Sequence, residues 1–115
     1  MHLYMHRKIH HRLRSERRRW GFTQREMAPL LLIRNATQLC RIERGCRHPS
    51  AASVIASCLV FGRSVDQLFP GLKKRIHEQV GVKASRLYEK VEKDRRPEAE
   101  KKRTLLRAIA STDPG

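Results

Sequence analysis

The stretch between Thr23 and Gly45 constrains the fold most, because it carries the start signal of one short helix and the stop signal of another. Thr23 is followed three residues later by Glu26, the spacing of a capping box in which each side chain satisfies a free backbone N–H. This helix is therefore expected to begin at Gln24. Gly45 is expected to end the second helix, because the residue just past a helix commonly has a positive φ. The stretch predicts two helices joined by a tight connection.

The apolar residues of these two helices recur at helical spacing. Met27, Leu30 and Leu31 predict a buried stripe on the first helix, and Leu39 and Ile42 predict one on the second. Each helix is therefore expected to pack one face against a core.

The second helix, expected at about residues 35–44, carries polar side chains on another face. Thr37, Arg41 and Arg44 recur at intervals of four and three residues and are expected to point outward together. The helix therefore offers one hydroxyl and two guanidinium groups to a partner.

This run resembles the helix-turn-helix of the Cro and lambda-repressor-type (XRE-like) family of bacterial and phage regulators. The motifs that carry the resemblance lie between residues 12 and 72 and follow the family order: Thr23-Gln24, Arg41-Ile42-Glu43-Arg44-Gly45, Pro49-Ser50 and Val65-Asp66-Gln67-Leu68-Phe69. The resemblance implies an all-α fold, with a five-helix lambda-repressor-like helix-turn-helix domain at 7–71 and a C-terminal helical extension at 72–115. Residues 1–6 are expected to form a flexible N-terminal extension.

Two residues depart from the family pattern. Leu32 stands where the family usually has the turn glycine, and Pro29 lies inside the first helix of the pair, where it removes the hydrogen bond to the Arg25 carbonyl. The connection is also one residue longer than in the commonest members. The resemblance further implies that Arg17 pairs with Glu43 and locks the first helix of the domain to the recognition helix.

The other helices of the domain are predicted from caps and apolar spacing. The first is expected from about Arg7 to Trp20, with Gly21 ending it. Ser50 is expected to cap a fourth helix at Ala51–Phe61, and Ser64 a short fifth one. The expected apolar contacts are Ile9, Leu13 and Trp20 on the first helix and Val54, Ile55, Cys58 and Leu59 on the fourth.

The C-terminal extension is expected to follow a boundary at Pro70-Gly71. A last helix is expected to start near Pro97, a residue suited to the first turn. Before it, an amphipathic helix of about six turns is predicted, and its apolar stripe must be covered. The cover is the last helix, the globular domain or a second subunit. The stripe consists of Leu72, Ile76, Val80, Ala84, Leu87 and Val91.

The net charge of +15 over 115 residues predicts a polyanionic partner. Residues 1–48 carry a net charge of +9, residues 49–71 are neutral, and residues 72–115 carry +6. A membrane is not the expected partner, because the basic segments lack a broad apolar face and no apolar run approaches the ~20 residues that span a bilayer. His and Arg interrupt the N-terminal segment where a signal peptide needs an apolar core, so a cytoplasmic location is expected.

Neither a metal site nor an enzyme is expected. The three cysteines are an odd count without paired C-x-x-C spacing, and Cys46 with His48 would supply only half of a metal site. An N-terminal series of three histidines has a spacing that could chelate a metal on a helix, but a frayed basic extension is the preferred interpretation. No phosphate-binding glycine loop or nucleophile elbow is present, so no catalytic residue and no cofactor is expected. The cysteines are Cys40, Cys46 and Cys58, and the histidines are His2, His6 and His10.

These observations favour a sequence-specific DNA-binding transcriptional regulator, acting as a repressor. Thr37, Gln38 and Arg41 are the expected base-reading residues, whereas Asn35 serves either as a contact or as an N-cap. Gln24, Arg44 and Arg47 are expected to contact phosphates, and family usage supports this role for Gln24. The complete set of expected DNA-contacting residues is Gln24, Arg34, Asn35, Thr37, Gln38, Arg41, Arg44 and Arg47.

The expected partners are double-stranded DNA and a second copy of the chain, because one recognition helix contacts few base pairs. The alternative is an antitoxin-like or other interaction module whose C-terminal helices bind a protein partner. Binding of RNA or single-stranded DNA ranks third, because the chain has few aromatic residues on which bases could stack.

Overall fold

The computed structural model describes residues 11–112, and this part of the chain is all-helical, as predicted. It divides into two compact units, one up to Leu72 and one from Lys73 onward. The expected N-terminal extension at 1–6 and the three N-terminal histidines lie outside the described residues. The helices are α1 Leu13–Arg19, α2 Gln24–Leu30, α3 Ala36–Glu43, α4 Ala51–Phe61, α5 Val65–Leu68, α6 Pro70–Val91 and α7 Pro97–Ala110.

The core of the first unit is built by the apolar faces of α1, α2, α3 and α5, together with the first turn of α6. The Arg12 backbone N–H donates to the Leu68 carbonyl at 2.7 Å and ties the start of α1 to α5. Phe61 and two other partly buried residues of α4 pack against this core. Its buried residues are Leu13, Met27, Ala28, Leu31, Ile33, Leu39, Ile42, Leu68, Phe69 and Leu72.

The caps predicted from sequence are present. Thr23 and Glu26 form the reciprocal capping box, and Ser64 forms a second one with Gln67. Ser50 accepts a hydrogen bond from the Ser53 backbone N–H and caps α4. Local side-chain chemistry therefore determines where these helices begin.

The ends of α1, α2 and α3 share one backbone geometry. At each end a residue of positive φ follows the last turn: Gly21 (79°), Leu32 (58°) and Gly45 (76°). After α2, the Leu32 N–H donates to the Pro29 carbonyl and the Ile33 N–H to the Ala28 carbonyl, the two bonds of a Schellman motif. Leu32 thus takes a conformation that usually requires glycine.

Three predictions about α1 and α2 are corrected. A helix that starts at Arg7 would include His11 and Arg12. Within the described residues, however, α1 begins at Leu13, and Arg12 is its N-cap. Trp20 is exposed because it follows the last residue of α1, and Leu30 is half exposed because only Met27 and Leu31 of its stripe face the core.

Helix α4 has the predicted bounds, but only half of its predicted core residues face the core. Val54 and Cys58 are partly buried as expected, whereas Ile55 and Leu59 are exposed. The buried face carries small residues instead: Ser53, Ala56 and Ser57.

The serine hydroxyl groups on this buried face make hydrogen bonds, so their burial does not leave polar groups without partners. The Ser57 hydroxyl donates to the Ser53 carbonyl at 2.7 Å, and the Ser53 hydroxyl donates to the Leu32 carbonyl at 3.4 Å. Small residues also permit a close approach of α4 to the rest of the unit.

In the second unit, α7 folds back against the C-terminal half of α6. Ala84 and Val91 are buried with Ala99 and Leu106, and Arg103 donates to the Val91 and Asp94 carbonyls at the end of α6. The last helix therefore covers part of the predicted apolar stripe. Leu72 belongs to the core of the first unit, whereas three stripe residues remain about half exposed: Ile76, Val80 and Leu87.

The Pro70-Gly71 pair forms the first residues of α6 rather than a loop. Proline is compatible with this position because its missing N–H would have no partner in the first helical turn. The helix predicted from Leu72 to Val91 thus begins two residues earlier than expected. Pro97 opens α7 as predicted.

Candidate nucleic-acid interface

The exposed face of α3 carries the polar residues that the sequence predicted to point outward together. Thr37, Arg41 and Arg44 are exposed, while Leu39 and Ile42 of the same helix are buried in the core. The predicted division of this helix into an inner and an outer face is therefore confirmed. The outer face borders an open groove, the α3 groove, lined by Gln24, Ala36, Thr37, Cys40, Arg41 and Arg44.

A buried ion pair fixes α3 to α1. Arg17 Nε donates to Glu43 Oε2 at 2.6 Å, and Arg17 Nη2 donates to Glu43 Oε1 at 3.0 Å. Arg17 Nη1 also donates to the Phe22 carbonyl at 2.8 Å, so the guanidinium spans α1, the following loop and α3. The pair implied by the resemblance is therefore confirmed. Both side chains are almost completely buried, which makes the geometry hard to distort.

The hydrogen bond to Glu43 raises the pKa of Arg17, an effect that exceeds the opposing effect of burial. The arginine is therefore charged at every pH at which the protein would be studied. Because the charged Arg17 of α1 pairs with the buried carboxylate of Glu43, α3 is held in one orientation relative to α1.

Gln24 connects α2 to the same cluster. Its Nε2 donates to Glu43 Oε1 at 3.0 Å, and its side chain also lines the α3 groove. An amide nitrogen has two N–H donors, so this bond leaves Gln24 one further donor. The residue predicted to contact phosphate thus lies at the groove edge and is oriented by Glu43.

Asn35 is the N-cap of α3. Its Oδ1 accepts a hydrogen bond from the Gln38 backbone N–H at 2.9 Å, which satisfies one of the free donors of the first turn. Of the two roles expected for Asn35, the capping role is observed.

The remaining expected residues lie around a second depression, the loop cavity, on the side of α3 that faces the start of α4. Gln38 points toward this cavity and not toward the α3 groove, and its Oε1 is buried without a hydrogen-bond partner. Seven of the eight expected residues therefore form two groups, and Asn35 lines neither depression. The polar residues of the loop cavity are Arg34, Gln38, Arg47, His48, Ser50 and Ser53.

Sequence reasoning missed two residues of the α3 groove, Ala36 and Cys40. Cys40 precedes Arg44 by four residues and Ala36 precedes Cys40 by four, so helical periodicity alone could have placed them beside Arg44. Cys40 is partly buried and is a free thiol.

Between residues 11 and 112, no group of three or more His, Cys, Asp or Glu side chains could hold a metal ion. No helix described in the structure is long and apolar enough to cross a bilayer.

No protein-family model matches the chain, and neither a curated protein nor a solved structure matches it. The functional interpretation therefore depends on the residues of the chain itself.

Proposed function

We propose that this protein is a sequence-specific DNA-binding transcriptional regulator, a repressor of the Cro and lambda-repressor type. In this proposal α2 and α3 form a helix-turn-helix within a five-helix domain made of α1 to α5. The observation that carries it is the exposed face of Thr37, Arg41 and Arg44 on a helix fixed by the buried Arg17–Glu43 pair. A rigid helix with such a face in a chain of net charge +15 suits the major groove of DNA.

Arg41 is the proposed centre of base readout. A guanidinium can donate two parallel hydrogen bonds to the O6 and N7 atoms of guanine, and no other base offers this pair of acceptors. Thr37 precedes Arg41 by one helical turn, so its hydroxyl and methyl would meet a neighbouring base pair. Because both side chains border the same groove, they are suited to adjacent positions of one half-site.

The other exposed cations would contact phosphates. Arg44 lies in the α3 groove, whereas Arg34 and Arg47 border the loop cavity on the other side of α3. This arrangement places positive charge on both sides of the proposed recognition helix. Such contacts fix the register of a protein on DNA without reading its sequence.

The test selects bound fragments from a random double-stranded DNA library with the purified full-length protein. Replacing Arg41 with Ala should weaken binding to the selected site by ~1 to 3 kcal/mol and relax the preference at one base pair. Arg95→Ala is the matched control, because Arg95 is an exposed arginine in the α6–α7 connection. An Arg41→Ala protein that selects the same sequence as the wild type would refute the assignment.

A second function is favoured by one observation. Ile76, Val80 and Leu87 remain about half exposed on α6, so this helix has an apolar surface that α7 does not cover. An antitoxin-like module would use such a surface to bind and neutralise a protein partner. Pulldown with the full-length protein against the products of neighbouring genes, with Leu87→Asp as control, tests it. Loss of a captured partner in the variant would support this function.

A further inference from the structure

Helix α4 is the least charged element of a strongly basic protein. No Asp, Glu, Lys or Arg occurs between Ser50 and Gly62, although charged residues make up 32% of the chain. Among the seven described helices it alone has no charged residue. A surface without charge is poorly suited to DNA or to an acidic protein, because both partners are attracted to cations.

This helix also exposes two large aliphatic side chains. Leu59 is 79% exposed and Ile55 is 61% exposed, while the helix buries Ser53 and Ser57. Leu59 follows Ile55 by four residues, so the two side chains lie together on one outer face. The helix packs Val54, Cys58 and Phe61 against the core, so it has apolar residues on its outer face as well as its inner one. A surface helix usually carries polar residues on its outer face. The outer face is therefore suited to contact another protein surface.

On the exposed face, small side chains lie at one end of the helix and large ones toward the other, so two antiparallel copies could fit together. Ala51 and Ala52 are exposed at its N-terminal end, Ile55 lies in the middle, and Leu59 lies at its C-terminal end. If two copies of the helix pack antiparallel about a two-fold axis at Ile55, Leu59 of each copy lies over Ala51 of the other. The large Leu59 then faces a small alanine at each end of the interface, and Ile55 meets its symmetry mate at the axis.

We infer that α4 is the interface between two copies of this chain, which pack antiparallel through Ile55 and Leu59. A second copy is the partner that the charges favour, because repulsion between two chains of net charge +15 opposes contact through their basic surfaces. The neutral face avoids this repulsion. The inference goes beyond the proposed function and specifies where a homodimer would form.

Sedimentation of the full-length protein without DNA tests the interface. The wild type should be dimeric, and Leu59→Lys should raise the dimer dissociation constant by about 100-fold, because it places two added charges in the interface. Leu105→Lys is the matched control, because Leu105 on α7 is 63% exposed and should leave the dimer unchanged. Both variants should keep the helical circular dichroism of the wild type, because neither side chain is buried in the described unit.

A monomeric wild type, or a Leu59→Lys protein that remains dimeric, would overturn the inference. Because these measurements need no DNA, a failure of the interface is separate from a failure of the proposed DNA binding. If the wild type dimerises through α4 yet binds no DNA, only the proposed function fails.

The position of the axis is tested by crosslinking in a variant whose three native cysteines are replaced. In that background Ile55→Cys should oxidise readily to a covalent dimer, because each new thiol lies beside its symmetry mate. Leu59→Cys should oxidise poorly, because its neighbour across the interface is Ala51. Equal crosslinking at both positions would contradict an axis at Ile55.

Discussion

Leu32 occupies a turn position at which glycine is usually found, and the turn nevertheless forms. Among residues 11–112 it is the one non-glycine residue with positive φ, and it ends α2 by the same hydrogen bonds that the Gly21 and Gly45 turns use. A side chain in this conformation costs roughly 1–2 kcal/mol. Leu32 is 65% exposed, so burial of its own side chain returns little of that cost.

Replacing Leu32 with Gly should therefore stabilise the protein by about 1 kcal/mol. Leu30→Gly is the control, because Leu30 is a half-exposed leucine at the last position of α2, where glycine should cost up to about 1 kcal/mol. Thermal melts of the two variants should shift in opposite directions. A destabilised Leu32→Gly protein would mean that the leucine side chain makes a contribution larger than the strain of its backbone.

The Arg17–Glu43 pair is the second feature that depends on individual residues. Glu43→Gln should destabilise the first unit by about 3 kcal/mol, because it leaves the buried Arg17 charge without its counter-charge. Glu100→Gln, which removes an exposed partner of Arg103, should cost far less, because solvent screens this ion pair. Chemical denaturation measures both free energies of unfolding.

The contribution of Arg17 should be constant across neutral pH. Its pKa is raised in the folded protein by the hydrogen bond to Glu43. A group with a raised folded pKa stabilises fully below its unfolded pKa, and this stability is lost only as the pH rises through the folded value. Because an arginine ordinarily loses its proton only far above neutral pH, the cost of Glu43→Gln should not change between about pH 6 and pH 9. A cost that halves over this range would contradict the assigned ion pair.

At the scale of helices, the sequence predicted boundaries better than orientations. Thr23, Ser50 and Ser64 cap the expected helices because an N-cap needs only a side chain and the next turn of backbone. The inner face of α4 could not be predicted in the same way. Its serines are tolerated inside because they bond to carbonyls of α4 itself and of the α2–α3 connection, a tertiary arrangement that periodicity does not contain.

The same distinction applies to the candidate site. Alternation of inner and outer residues predicted that Thr37, Arg41 and Arg44 would be exposed together on α3. The placement of Gln38 beside the loop cavity was not predicted, because it depends on how the α3–α4 loop returns past α3. The spacing of residues along the sequence determines which face of a helix each one occupies. The position of the neighbouring chain segment determines which groups that face contacts.

The two units allow a prediction about α6 that separates its buried residues from its exposed ones. Val91 is 9% exposed and packs with Ala99 and Leu106, whereas Leu87 is 49% exposed. Val91→Asp should destabilise the α6–α7 pair by about 3 kcal/mol, because it buries a charge without a partner. Leu87→Asp should change the free energy of unfolding by about 1 kcal/mol or less. Hydrogen exchange of α6 and α7 amides distinguishes the two variants.

If dimerisation occurs through α4, Leu87→Asp should also leave the sedimentation of the protein unchanged. A Leu87→Asp protein that is folded but monomeric would instead assign the dimer to the exposed part of the α6 stripe. The sequence left the cover of this stripe open, and the structure shows that α7 covers Ala84 and Val91.

At the scale of the whole molecule, positive charge is distributed unevenly. Residues 1–48 carry a net charge of +9 and residues 49–71 carry none, so the neutral segment around α4 directly follows the most basic segment. The proposed DNA contacts and the inferred dimer contacts therefore use segments of different chemistry. This separation allows one surface to be changed without altering the charge of the other.

The salt dependence of DNA binding tests whether the α3 side carries the electrostatic contact. Each phosphate contact adds about 0.9 to the slope of log K against log salt, because binding releases a condensed counterion. Arg47→Ala should therefore weaken binding to selected and random DNA equally and reduce the slope by about 1. Arg95→Ala should leave the slope unchanged although it removes the same charge. If both variants reduced the slope equally, DNA would be held by the overall charge of the chain, and the assignment of α3 and its loop as the binding surface would be wrong.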